Sequence, residues 1–414
     1  MNTNRTNIHE SFLQLVKLGI GTSKDAEIPK DIDWEALKAL ADVQGLSAVV
    51  LDGIDKLNTD QPNSTNTLSL EFKLEWIGEV LQDYEQRYAL YQKAIGSLAG
   101  FYNQHGFKMM VLKGYACSLD WPKPEHRPCG DIDIWMFGRQ KEADKVLSNT
   151  DFTDNADNIS RICELENTID IDFSQHHHTV FEWKGFTVEN HYDFINVHHH
   201  PSHRGLEAIF KELGKDDSNY VEQNGEKVYL PSPNLHALFL LRHALNHFPS
   251  IGINLRNVLD WAFYIEKHTK EIDWKWLEAV VDEYHMRDFY NCINAICIED
   301  LGFKANMFPS VQLTSSTSDA THNSSSELGS PSLLPQFLPS LKERVLNDIL
   351  NPEFTIDEPE GLCRRWIHKY RRWKGNRWKQ ELCYRESAWS VFWSGVMIHL
   401  VKPKAIKDEH ELLG

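Results

Sequence analysis

The sequence is short of positive charge. Its 43 Lys and Arg stand against 60 Asp and Glu, a net charge of −17 with His neutral. Such a surface repels polyphosphate, which argues against wrapping a long nucleic acid as the main task unless basic charge is concentrated locally. The opening MNTNRTNIHESF has no apolar signal core, so secretion is not expected. The longest apolar stretch, SAWSVFWSGVMIHLV at 387–401, is too short to span a membrane and contains three Ser and a His. It reads as a buried amphipathic helix. The seven Cys (117, 129, 163, 292, 297, 363, 383) include no C-x-x-C pair. That argues against a disulfide framework and a zinc ribbon, and suits a reducing cytoplasm. There is no internal repeat.

What remains is the composition of an ordinary globular chain, 25% charged and 41% hydrophobic over 414 residues, long enough for two or three domains. The first hundred residues read as helix. DIDWEALKALADVQG opens on a capping Asp31, and Leu70, Leu74, Ile77, Leu81, Tyr84, Tyr88, Tyr91, Ile95 and Leu98 recur at helical spacing. One long amphipathic helix packing along that stripe and ending near Gly106 is expected. From 107 the pattern turns to strand: KMMVL, then GDIDIWMF after a Pro-rich loop, then HHHTVFEWK and FTVENHYDF around a Lys184–Gly185 turn, with a helix near 139–148 between. From about 232 the chain reads as helical again, with Ser232 as a cap and a Ser-rich loop at about 312–335. The expected class is α+β. A helical region at 1–104 and a helical domain at 206–414 flank a small mixed sheet at 105–205.

VLKGYACSLDWPKPEHRPCGDIDIW carries the chemistry. Strand periodicity puts Asp131 and Asp133 on one face, with Ile132 and Ile134 turned into the core. Two carboxylates so placed repel unless a cation lies between them, and hard dications such as Mg²⁺ favour oxygen ligands. Upstream, Lys113–Gly114 precedes a helix start of small residues (Ala116, Cys117, Ser118) whose N–H groups suit a phosphate. Arg127 is placed to act as a bidentate phosphate donor. On FTVENHYDF the face Thr187, Glu189, His191, Asp193 offers Glu189 as a third acid with His191 beside it.

The order L-K-G, then Arg, then G-D-I-D-I, then an acid on a later strand resembles the DNA polymerase beta-like nucleotidyltransferase superfamily. More narrowly, with the E-x-H strand and the helical tail, the chain resembles an uncharacterised bacterial nucleotidyltransferase family. The superfamily likeness covers roughly 105–195, and the narrower one most of the chain. Gly114–Tyr115 departs from the usual Gly-Gly or Gly-Ser. The resemblance implies transfer of a nucleoside monophosphate from an NTP, most simply ATP, to a hydroxyl acceptor such as a small molecule or glycan precursor. It also implies two Mg²⁺ on Asp131, Asp133 and Glu189, triphosphate contacts from Lys113, Gly114, Ser118 and Arg127, and a proton or acceptor role for His191. The alternatives are a toxin-like enzyme acting on tRNA or protein, and a non-catalytic nucleotide-binding or interaction protein.

The remaining histidines divide. Adjacent His176–His178, and His198–His200 with His203, invite zinc. Neighbours on a strand alternate faces, however, and no Cys completes a tetrahedral set, so zinc is not expected. His177 or His178 more simply lines the nucleotide pocket. His243 and His247 share a helix face at i, i+4 and are acceptor-pocket candidates. Finally, residues 361–379 hold eight Lys or Arg and no acid, with Trp366, Tyr370 and Trp373 on one face. This is either a patch for RNA or another anionic partner, or a packed Trp face with solvated basic residues.

Overall fold

The computed structural model describes residues 3–60, 68–150, 169–173, 177–197, 200, 202–308, 334–351, 362–387, 389 and 393. Most of the Ser-rich segment and of the 387–401 stretch lies outside them, as do His176, His198, His199 and the side chain of Trp366. Helices flank one six-stranded mixed sheet, which is the expected α+β class. The strands are β1 (Met110–Val111), β2 (Ile132–Trp135), β3 (His178–Trp183), β4 (Phe186–His191), β5 (Tyr220–Gln223) and β6 (Glu226–Tyr229), in the order β3-β4-β2-β1-β6-β5. β2 runs parallel to β4, and β1 parallel to β6. The other neighbours are antiparallel.

The β3–β4 hairpin turns where expected, with positive φ at both Lys184 (50°) and Gly185 (81°), as a tight two-residue hairpin requires. The β5–β6 hairpin lies within the 206–414 region expected as a helical domain, ahead of the helices read from about 232. It turns at Asn224 and Gly225 with φ of 53° and 81°. That Asn-Gly pair is the sequence signal for it. The sheet therefore draws on residues as far as 229.

The two faces of the sheet differ. Val111, Ile132, Ile134 and Val188 join Tyr91, Ile95 and Leu98 of helix Arg87–Gln104 in one apolar cluster. Met110, Leu112 and Trp135 point the other way, into a larger cluster that includes Phe194, Phe210, Leu235 and Leu238. Asp133 shares the second direction with Trp135, which turns its carboxylate towards the helical half. The helical ends form one body. Gln44 donates from Nε2 to the Ile349 carbonyl (2.8 Å) and accepts from the Leu255 amide (2.7 Å).

Two local expectations are corrected. Helix Trp34–Val43 is capped by Asp33, not Asp31, through the Ala36 amide at 3.0 Å. The 70–104 run is helical throughout, but a wide π-helical stretch at Val80–Gln86 divides it. Wide turns rotate the register of the faces. Downstream, Tyr88, Tyr91, Ile95 and Leu98 are buried as expected. Upstream, Trp76 and Val80 take the inward positions, while Leu70 and Leu74 are exposed at 71% and 58%.

One buried contact ties the loop before β2 to the helical half. Arg127 donates from Nε and Nη2 to the two oxygens of Asp260 (2.7 and 2.9 Å), and Trp121 Nε1 donates to Asp260 Oδ1 at 2.9 Å. Removing one partner of a buried pair strands the other charge. Asp260→Ala is therefore expected to lower unfolding free energy by about 3–5 kcal/mol. Urea denaturation reads this directly, and a loss below about 1 kcal/mol would mean that the pair behaves as a surface contact.

Candidate active site

Four polar side chains converge where β2 meets β4. In the parallel register Asp133 stands directly opposite Glu189, and alternation places His191 on the same face of β4. Lys113, just past β1, reaches Asp133 Oδ1 at 2.7 Å. His191 Nε2 lies 3.1 Å from the same oxygen and 3.6 Å from Glu189 Oε2. Asp133 is 3% exposed, so its charge survives only through these partners. Burial pushes its carboxyl up, but the Lys113 ammonium and the His191 hydrogen bond outweigh that and hold it well below the usual carboxylate range.

Asp131 precedes β2 and is exposed. Burial of part of the group, then the charges of Glu189 and Asp133, raise its pKa, the signature of like charges crowding one place. Its backbone is fixed from behind: Tyr91 Oη donates to the Asp131 carbonyl at 2.8 Å. The same tyrosine explains Gly114. There φ is +49° and ψ −98°, and an added Cβ would meet Tyr91 Oη at 2.4 Å. Gly114→Ala is expected to cost about 2–4 kcal/mol through backbone strain and displacement of Tyr91. An unchanged denaturation midpoint would contradict that account.

The hairpin bearing Glu189 and His191 is anchored on both sides. Asn190 Nδ2 and Thr179 Oγ1 donate to the two oxygens of Asp144 on helix Gln140–Asn149 (2.7 and 2.9 Å). Beyond His191, the Glu207 carboxylate accepts the Phe194 and Ile195 amides, each at 3.0 Å. His191 Nδ1 faces the Asp193 carbonyl at 3.2 Å. A carbonyl only accepts, so Nδ1 carries a proton and Nε2 is the atom turned to the carboxylates.

Of the other expected residues, His243 and His247 do approach this place. They lie on helix Pro233–His247 with ring centroids 4.3 Å apart. Burial lowers both pKa values, helped by the Lys113 charge, and that of His247 falls to about 4, so both are neutral at pH 7. Ser118 and Arg127 have other partners. The Ser118 hydroxyl donates to the Tyr115 carbonyl (2.7 Å) and meets Tyr88 Oη (3.0 Å). Arg127 is committed to Asp260. The helix behind Gly114 is only four residues, Tyr115–Ser118.

His177 and His178 were expected at most to line a pocket, yet both pack directly against His191, with ring centroids 5.5 and 5.2 Å away. His177 precedes β3, so the alternation that separates strand neighbours does not apply to it. The potential metal-binding groups among the described residues are two overlapping trios, Asp133–Glu189–His191 and His177–His178–His191. His200 and His203 belong elsewhere: His200 stacks on Tyr384 at 4.0 Å and His203 bonds to the Asn196 carbonyl. The basic segment is partly spent on the fold. Lys379 is 1% exposed and pairs with Asp348 at 2.7 Å, and Arg372 donates to the Ser250 carbonyl.

The His191 pair gives a pH dependence. Burial opposes its charge, but hydrogen bonds with Asp133 and Glu189 raise its pKa to about 9. A raised folded pKa contributes stability that is full below the unfolded value of about 6.5 and lost as pH rises through about 9. In chelator-treated protein, unfolding free energy is expected to fall by on the order of 3 kcal/mol across that window. The fall should be absent in His191→Gln, and equal slopes in the two proteins would contradict the assignment.

Residues 30–300 match the model of a family described as uncharacterised nucleotidyltransferase. No curated protein and no solved structure matches the chain.

Proposed function

Because the chain belongs to the uncharacterised nucleotidyltransferase family, we propose that the Asp131–Asp133–Glu189 face, with Lys113 beside it, is where it transfers a nucleoside monophosphate from an NTP to a hydroxyl acceptor. The observation that carries this reading is the register of β2 on β4, which sets Asp133 against Glu189 with Asp131 crowding the same field. Three carboxylates against Lys113 and the charged His191 still leave a local excess of negative charge. That excess and the oxygen donor set fit divalent cations. Asp131, Asp133 and Glu189 would hold Mg²⁺, which when bound neutralises the phosphates and makes the acceptor hydroxyl more acidic.

The chain's own groups do the rest. Lys113 is partly exposed and protonated, because the Asp133 charge overcomes the effect of burial, so its ammonium can turn to a phosphate oxygen. His191 holds Asp133 and Glu189 apart in fixed orientation. The neutral imidazoles of His243 and His247 offer acceptor nitrogens to an incoming hydroxyl. The acceptor oxygen attacks the α-phosphorus as the bond to the β-phosphate oxygen breaks, the hydroxyl proton passes to the neutral imidazole of His243 or His247, and pyrophosphate departs. Arg127 and Ser118 serve as positioning residues, since Arg127 bonds to Asp260 and Ser118 to the Tyr115 carbonyl and Tyr88 Oη. A small molecule or glycan precursor as acceptor suits the net acidity of the chain. We place the enzyme in the cytoplasm on its cysteine usage, and among the described residues no helix is long and apolar enough to cross a membrane.

Asp131→Asn combined with Asp133→Asn is expected to lower label incorporation from α-labelled NTP by about a thousandfold or more across a panel of hydroxyl acceptors. Chelation should do the same to the wild type. Undiminished incorporation in the double variant would sink this site.

A further inference from the structure

Three imidazoles at one wall of the site are not explained by nucleotidyl transfer on carboxylates. His177, His178 and His191 bring one ring nitrogen each within 4.8 Å of one another. His178 is 8% exposed, yet its Nδ1 is buried with no hydrogen-bond partner, and so is Nδ1 of His177. A buried polar atom left unsatisfied carries the full cost of its lost hydration. Glu189 Oε2 adjoins the group, 3.8 Å from His178 Nδ1 and 3.6 Å from His191 Nε2.

The surroundings hold this arrangement in place. The His177 carbonyl accepts the Tyr192 and Asp193 amides (3.0 and 3.2 Å), which pins the start of β3 against the end of β4. His191 donates from Nδ1 to the Asp193 carbonyl, leaving Nε2 to the interior. A backbone carbonyl on the far nitrogen is the usual support of a metal-ligating histidine. A metal would take the place of the Nε2 proton that now faces Asp133, and the Nδ1 bond holds the ring in the orientation for it. With Lys113 and His191 both charged, Asp131, Asp133 and Glu189 keep one uncompensated negative charge, and a dication that takes the place of the His191 Nε2 proton brings the group to neutrality.

We propose that His177, His178, His191 and Glu189 form a metal position that takes a first-row transition-metal dication of the zinc, cobalt or nickel class in preference to Mg²⁺. The choice follows from the donors. Imidazole suits zinc, nickel and copper, whereas Mg²⁺ takes oxygen ligands and keeps its water. Zinc–imidazole bonds are about 2.0–2.1 Å, so the donors must draw together by about an ångström on binding. Rotation of His177, which lies outside the strand, can supply that movement. The inference deepens the proposed activity by naming the ion at one wall of the same site, but metal loading can be read without turnover.

The test uses the full chain, stripped by chelator and titrated with Co²⁺ while visible d–d absorption is recorded. One equivalent should bind with the intense bands of a nitrogen-ligated, low-coordinate ion. Zn²⁺ should displace it and a large excess of Mg²⁺ should not. His178→Gln and His177→Gln should each weaken Co²⁺ binding by at least about tenfold, with circular dichroism confirming their fold. The wild type alone gives a second reading: with one equivalent of Cu²⁺ bound, pulsed electron paramagnetic resonance should show imidazole nitrogen coupling. Weak bands of an all-oxygen octahedral ion, ready displacement by Mg²⁺, or absent nitrogen coupling would overturn the proposal. Asp131→Asn separates the two claims, since it should keep the cobalt spectrum while losing label transfer. Loss of the spectrum in His178→Gln with Mg²⁺-supported transfer intact would support the metal position and remove it from the reaction.

Discussion

Asp133 is a carboxylate sealed from water at the centre of a sheet, and much of the architecture answers that one fact. An isolated buried charge is costly enough that it must be paired or neutralised. Lys113 and His191 pair it, and each arrives by a different route: one past the end of β1, the other at the end of β4. Their arrival requires the strand order β4-β2-β1, the parallel register of β2 on β4 and the short connection through Gly114. Tyr91 joins the system from the opposite face of the sheet by holding the Asp131 carbonyl. The site is therefore part of the packing of the fold, and the apolar clusters on the two faces keep it dry on its inner side.

This compensation also fixes what the cluster can do. Lys113 and His191 both rest on the same oxygen of Asp133, while Asp131 stays exposed and crowded by like charge. The arrangement is settled without a ligand, yet it retains more carboxylates than cations. Such a place attracts cations and, through them, phosphates, even on a protein whose net charge repels polyphosphate. The −17 of the whole chain and a phosphate-handling site are thus compatible. In the basic segment Lys379 and Arg372 are bonded within the protein, while Arg364, Arg371, Lys374 and Arg377 are exposed.

Much of this was legible in the sequence where it depended on local pattern. The period-two face of G-D-I-D-I, the Lys184–Gly185 turn and the E-x-H strand specify their own geometry, and the strands formed where those patterns lie. Other features depend on what a segment meets in three dimensions. Leu70 and Leu74 have helical spacing, but the wide turn at 80–86 gave the inward positions to Trp76 and Val80. Arg127 reads as a phosphate donor until Asp260, 133 residues away in sequence, is brought against it. The approach of His177 and His178 to His191 was hidden for a similar reason. Alternation along a strand says nothing of His177, which stands before the strand, or of His191 arriving from its neighbour. The β5–β6 hairpin is different, since its Asn-Gly turn was visible and only the surrounding helical pattern obscured it.

The central claim, that the β2–β4 carboxylate face holds the triphosphate, is tested most directly by a crystal structure of the protein with a non-hydrolysable NTP analogue and Mg²⁺. The account predicts an α-phosphate over Asp131 and Asp133, metal density contacting both together with Glu189, and Lys113 swung from Asp133 to a phosphate oxygen. A nucleotide seated elsewhere, with Lys113 still on Asp133 and no ion at Glu189, would contradict it.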